Sequence, residues 1–349
     1  MVWLDSTLPV GRTLSTKLLV AVLATACTTT HGDAGDVTEG SGEGDGDSSG
    51  AGLPDLGDDD GDGPEPGASW EVLDSGVDVD LDAVWAADER VLVAGVGGAI
   101  LESIDAGRTW EALASGTTAD IHGVWVTGTH IYAVGDAGTI VHSDDDGETF
   151  VTELSNTELD LYCVWASDPS NVFVSGESGF TRRSTDLGLS WDSVSGPALG
   201  DVVGLWGVDA SHVFAASQTG VLFSSDAGDS WDLRVIGNSH NDLWSGDGDH
   251  LVVVNDAGRV TTYSIADDVA TKHVPTAAHP LRAVWGRDLA TIVAVGEGGT
   301  IFVPSDGEGG DWVTQTSPVS ADFRDVFGTT QRIYAVGEGG TMIVRSDAP

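Results

Sequence analysis

The sequence predicts an all-β fold: a seven-bladed β-propeller of four-stranded antiparallel blades, with the last blade closed by an N-terminal strand. Three observations predict it. An aromatic residue preceded by an aliphatic one returns at Trp85, Trp125, Trp165, Trp206, Trp244, Trp285 and Phe327, at intervals of 40, 40, 41, 38, 41 and 42 residues. Short apolar runs repeating at that period mark propeller blades. A second aromatic series, Trp110, Phe150, Trp191, Trp231 and Trp312, follows most of the first. The 48 glycines cut every unit into pieces too short for helices, so a helical repeat is excluded.

One unit shows the layout. An inner strand over residues 81–86 precedes a second strand over 91–95, a tight turn at Gly97 and Gly98, and a third strand over 99–103. An outer strand follows the turn that ends at Trp110. The seventh unit stops near Asp347, after its third strand. Ahead of the first unit stands an unattached strand-like piece, Trp70-Glu71-Val72-Leu73. It is expected to take the missing outer place, which seals the ring and removes two sheet edges.

The propeller is assigned residues 70–349, behind a leader (1–27) and a linker (28–69). In the leader, Arg12 and Lys17 precede an apolar stretch over 18–26, too short to span a bilayer and suited to a signal peptide. Its end, Leu23-Ala24-Thr25-Ala26-Cys27, resembles the lipobox of bacterial lipoproteins, with Ala24 where Leu is usual. The resemblance implies lipidation at Cys27 and a cell-envelope location. Thr28, in place of the Asp linked to inner-membrane retention, points to the outer membrane.

The linker holds 12 acids and no Lys or Arg, with hardly any large apolar residue, the composition of a solvated tether. Asp58, Asp60 and Asp62 alternate like the start of a calcium loop, but the twelfth position is Ser69 rather than a carboxylate. No cofactor is expected, and calcium has only this incomplete loop. The net charge of −42 repels phosphate backbones, so nucleic-acid binding is set aside.

The pattern Ser-x-Asp-x-Gly-x-Ser/Thr-aromatic occurs in phase at 103–110, 143–150, 184–191 and 224–231. It is identified as the Asp-box, or BNR repeat. The motif implies a structural role for Asp105, Asp145, Asp186 and Asp226, which cap their turns and are not expected to be catalysts. Ile131-Tyr132-Ala133-Val134-Gly135-Asp136-Ala137-Gly138-Thr139-Ile140 has close copies at 292–301 and 333–342. Together with the Asp-boxes, this repeat resembles the photosystem II assembly and stability factors, seven-bladed non-enzymatic scaffolds for membrane-protein assembly. Related sequences also occur as lipoproteins in bacteria without photosynthesis. The acidic tether fits that second group, so the fold and the binding role carry over, and photosynthesis does not.

The residue three before each aromatic anchor is expected at the mouth of the channel: Asp82, His122, Tyr162, Val203, Asn241, Arg282 and Arg324. Positions that hold a repeat together agree from unit to unit, and this one does not. Asp136, Glu177, Asp256, Glu297 and Glu338 fall in turns on the same face. The resulting acidic rim around two arginines suits a monomeric binding module for a protein partner with a basic or zwitterionic surface, such as a membrane protein. The related factors carry arginines in this place, matched here by Arg282 and Arg324.

The alternative is a glycan-binding or sialidase-like Asp-box propeller. Sialidases carry an Arg-Ile-Pro motif that is missing here, an arginine triad of which only two candidates stand at the mouth, and six blades rather than seven. A non-enzyme is therefore expected. Cys163 reads as a small packed residue, without a disulfide or metal role.

Overall fold

Alternating apolar residues between glycine-bearing turns become strands at every repeat. The computed structural model describes residues 69–346, apart from 195, 197–199, 235–238, 274–278 and 306–310. The predicted leader, Cys27, the 58–63 segment and nearly all of the linker lie outside the described residues. Within them are seven four-stranded sheets, every neighbouring pair antiparallel. The inner strands are Leu81–Ala87, Ile121–Thr127, Leu161–Asp168, Val202–Gly207, His240–Ser245, Leu281–Trp285 and Phe323–Gly328.

The predicted closure is present. Trp70–Asp74 pairs antiparallel with Thr341–Ser346, with Trp70 opposite Arg345 and Asp74 opposite Thr341. In this register Trp70 takes the place in blade seven that Trp110 holds in blade one. It is only 7% exposed. Its indole donates to Gln315 Oε1 at 2.8 Å, and the Arg345 guanidinium stands 5.4 Å from the ring centre. The second aromatic series therefore has a member at the far end of the chain.

The Gly-x-x-Gly segment of the repeat is explained by close approach. Gly95, Gly135, Gly176, Gly296 and Gly337 have extended backbone, yet a Cβ there would lie 1.9–2.0 Å from the carbonyl oxygen before the inner strand of the same blade. A tight turn follows each of them, and the last turn glycine has φ of 71–76°. Blades are then clipped to one another. Asp80, Asp120, Asp160, Asp201 and Asp322 each accept a turn N–H of the preceding blade, from Gly339, Gly97, Ala137, Ser178 and Gly298, at 2.7–2.9 Å. Blades five and six have Ser239 and Pro280 in that place.

The four Ser-x-Asp-x-Gly turns share one hydrogen-bond pattern. Asp105 Oδ1 accepts from Ser103 Oγ and the Thr109 N–H, both at 2.8 Å, while Oδ2 accepts from Thr109 Oγ1 at 2.7 Å. Gly107, with φ of 86°, donates to Ser103 Oγ. Asp145, Asp186 and Asp226 repeat the arrangement. The bonds from Thr109 hold the Asp105 carboxyl down at about 2. These aspartates cap turns at the rim of the ring.

The core lies in the layers between blades, such as the one where Leu81, Val84 and Val93 meet Tyr334, Val336 and Met342. One layer contains an anomaly. His240 stands where the other units have Leu81, Ile121, Leu161, Val202, Leu281 and Phe323. It is 3% exposed and neither ring nitrogen has a partner. Burial pulls its pKa down to about 4.

Two outcomes follow for stability, both read from denaturant melts. Trp70→Ala should cost about 3–5 kcal/mol, the penalty for truncating a buried aromatic. His240→Leu should stabilise by about 1–2 kcal/mol, because it removes buried polar atoms that have no partner. A His240→Leu protein less stable than the parent would mean that the imidazole has a partner in solution.

Candidate functional site

The predicted ring of mouth residues is built by a repeated irregularity. Every inner strand slips register near its start, between Leu81 and Ala83 in blade one and at the equivalent step in the other six. Asp82, His122, Tyr162, Val203, Asn241, Arg282 and Arg324 are the seven extra residues. A bulge re-aims its side chain away from the ladder, and all seven line one central cavity of about 630 Å³. The position is free to vary because no strand partner depends on it.

Most of the ring is engaged with the acidic rim. Arg324 donates to Asp82 and Asp80, each at 2.6 Å. His122 bridges Asp82 at 3.2 Å and Asp136 at 2.7 Å. Arg282 donates to Asp256 at 2.7 Å and to Glu297, and Asn241 donates to Asp256 at 3.0 Å. Tyr162 lies beside His122, ring centres 6.0 Å apart. Hydrogen bonds from His122 and Arg324 outweigh the burial of Asp82 and hold its carboxyl below the usual range. The bond to Asp82, helped by Asp136, raises His122 to about 9 against the effect of burial, so its imidazole is charged at neutral pH. The positive groups expected inside the rim are thus compensated by it, and the mouth keeps a net negative balance.

Two features of the channel escape sequence reasoning. The first is its floor. Trp125 of blade two contacts Trp206 of blade four at 6.1 Å and Phe327 of blade seven at 5.8 Å, and Trp206 reaches Phe327 at 6.1 Å. These blades are not neighbours, so the rings meet at the axis. Trp125 and Trp206 are fixed by indole bonds to the carbonyls of Ala166 and Ser245 in the next blades. Trp165 and Trp285 instead tuck against Gly207 and Gly328 of the following blades. The repeat marked these residues as anchors but did not say that three would cross the channel.

The second feature is a pair of acids one residue past the bulge. Ala83, Gly123, Cys163, Gly204 and Ala283 hold that place in five blades, and Asp242 and Asp325 in the other two. Two carboxylates in a column of small residues were the available signal. Asp242 Oδ2 accepts the Val284 N–H at 2.9 Å, and Asp325 Oδ2 accepts the Val84 N–H at 2.8 Å. Deep placement between blades raises Asp242 to about 8 and Asp325 to about 7, despite those bonds.

Cys163 is packed in the same column, its Sγ 3.8 Å from the carbonyls of Ser175 and Val202. Burial pushes its thiol far above the ordinary range, which suits a packed residue and not a nucleophile. Among the described residues no three His, Cys, Asp or Glu side chains are grouped to hold a metal.

No protein-family model matches the chain, and no curated protein is similar to it in sequence. Solved structures are similar to it in fold. YCF48 from Cyanidioschyzon merolae is 18% identical with a TM-score of 0.68, over 80% of this chain and 99% of that one. YCF48 bound to D1 peptide is 15% identical with a TM-score of 0.67, over 82% and 100%. The WD40 β-propeller domain of Doa1 is 13% identical with a TM-score of 0.65, over 80% and 98%. At such identities the likeness establishes the propeller fold.

The deep acids give the protein a pH signature. Folded Asp242 and Asp325 keep their protons to about 8 and 7, whereas the unfolded chain releases them near 3.8. Stability should therefore fall as pH rises from about 4 to 8. Asp242→Asn should flatten that fall and exceed the parent in stability at pH 8. His122 adds a second decline, since stability from its raised pKa is complete below 6.5 and lost as pH passes about 9. Thermal melts from pH 4 to 10 on the parent, Asp242→Asn and His122→Asn separate the two.

Proposed function

We propose that the chain is a lipid-anchored, non-enzymatic propeller that binds a protein partner through the mouth of its channel. The anchor is Cys27, and the setting is the periplasmic or surface side of a bacterial outer membrane, with the propeller acting as a monomer. The ring of seven bulge residues carries this reading. It shows six residue types in seven copies, while the glycines, clips and turns around it repeat. A place that the fold supports but does not constrain is where recognition can be written. One similar structure, YCF48, is bound to D1 peptide, which supports a peptide or protein as the occupant. The net negative mouth favours a basic or zwitterionic surface on the partner, such as a membrane protein, and disfavours nucleic acid.

One observation favours a second reading. Glycoside hydrolysis requires a carboxylic acid paired with an ionised carboxylate, and Asp242 and Asp325 line one cavity with carboxyls pushed up to about 8 and 7, so the acid of such a pair is present near neutral pH. A panel of fluorogenic sialosides and β-glucans separates the two, with no turnover expected. Turnover abolished by Asp242→Asn would replace the scaffold by a hydrolase.

The scaffold reading is tested by affinity purification of the lipidated protein from membranes. The double variant Arg282→Asp, Arg324→Asp should lose the co-purifying protein while keeping its fold. Unchanged capture would sink the mouth as the binding face. Mass spectrometry should find a lipid on Cys27, and Cys27→Ser should move the protein to the soluble fraction.

A further inference from the structure

We propose that the channel is a receptor for an organic cation, a primary ammonium or guanidinium on a flexible chain, seated over Trp125, Trp206 and Phe327 and beside Asp242 and Asp325. The inference deepens the scaffold reading and rests on it, since a basic side chain of the protein partner is the occupant it names.

The cavity provides what such a group needs. It is open at the mouth and holds about 630 Å³, room for a side chain and its water. Its far end carries three aromatic rings that meet across the axis, all lining the cavity. Aromatic rings attract cations placed within about 6 Å, tryptophan most strongly. The same rings give neutral or anionic ligands no polar partner.

The wall beside that floor carries carboxyls and no base. Asp242 and Asp325 lie one residue beyond the mouth ring on their strands, three and two blades from Trp125 counted around the ring. Arg282 and Arg324 sit at the outer level and are held there by Asp256, Glu297, Asp80 and Asp82. They do not supply the counter-charge at the floor. His122 is likewise held between Asp82 and Asp136. A cation entering the channel passes a net acidic mouth and reaches two carboxyls that have no cationic partner among the residues lining the floor.

Those carboxyls hold protons near neutral pH because burial disfavours ionisation, helped by the charge of Asp325 at Asp242 and of Asp82 at Asp325. A cation beside them reverses that balance. Binding should therefore release protons, and affinity should rise with pH between about 6 and 9. A merely structural pair, each bonded to the N–H of the next blade, would leave affinity independent of pH.

The experiment uses the propeller with its linker. The probes are n-butylammonium, N-acetyl-lysine amide, a short lysine-bearing peptide, and n-butanol as the neutral control. Calorimetry in two buffers of different ionisation enthalpy reads affinity and proton release. Indole N–H resonances of Trp125 and Trp206 report the floor. Saturable binding of both amines but not butanol, with proton release, is expected. Asp242→Asn and Asp325→Asn should each weaken it about tenfold, and Trp206→Leu should do likewise; the asparagines keep an acceptor for Val284 and Val84, and melts verify the fold.

Absent binding, or binding unchanged in both asparagine variants, would overturn the proposal. The double change Arg282→Asp, Arg324→Asp should spare the amines while abolishing partner capture, so failure of the mouth and failure of the floor are read apart. Amine binding with exclusion of the lysine peptide would uphold the cation site as one for free amines and reject the protein side chain as its occupant.

Discussion

The antiparallel pairing of Trp70–Asp74 with Thr341–Ser346 is the constraint on which the channel depends. Contacts that shape the site cross the seam it closes. Arg324 of blade seven reaches Asp80 and Asp82 of blade one, Asp325 accepts the Val84 N–H, and Phe327 meets Trp125. A ring left open at this point would leave two sheet edges exposed, and neither the mouth nor the floor would be a closed figure. The joint is reinforced at its outer end by Trp70, whose indole and ring are engaged by Gln315 and Arg345.

Within the ring, register is fixed by approach distances rather than by side-chain preference. Glycine at the end of the second strand lets a carbonyl come where a Cβ would stand, and an aspartate then reaches the previous blade's turn. Five units hold their inner strands by this glycine, and the bulge falls at the same step in all seven. Blades four and five depart from the pattern together: Ser217 and Asn255 replace the glycine, Ser239 replaces the clip, and His240 replaces the apolar residue. The unpartnered imidazole lies at this break.

Charge in the channel is arranged by depth. At the mouth, arginines and a protonated histidine are matched by carboxylates, so the outer level is a network with a negative remainder. At the floor, two carboxyls stand near aromatic rings and are neutral over much of the accessible pH range. Burial costs an ionised carboxyl its hydration, and an incoming cation can restore what burial removed. In the two proposals made above, these levels answer to different partners: an extended surface at the rim and a single charged group below it.

Much of this was legible in the sequence. The period near 40, the short last unit and the spare strand at Trp70 set blade number and closure, because strands and turns have local signatures and seven copies repeat them. The mouth ring was legible as well, since a variable column among constant ones stands out: Asp82, His122, Tyr162, Asn241, Arg282 and Arg324 all line the cavity, beside Val203. Tertiary structure alone decided that Trp125, Trp206 and Phe327 cross the axis while Trp165 and Trp285 turn between blades, and that Asp242 and Asp325 lie deep beside them. The seven anchors occupy one repeat position and look equivalent in sequence. Where each ring goes depends on the neighbouring blade, on a glycine to lie against or a carbonyl to bond, and that neighbour is set by closure of the ring and not by any local run of residues.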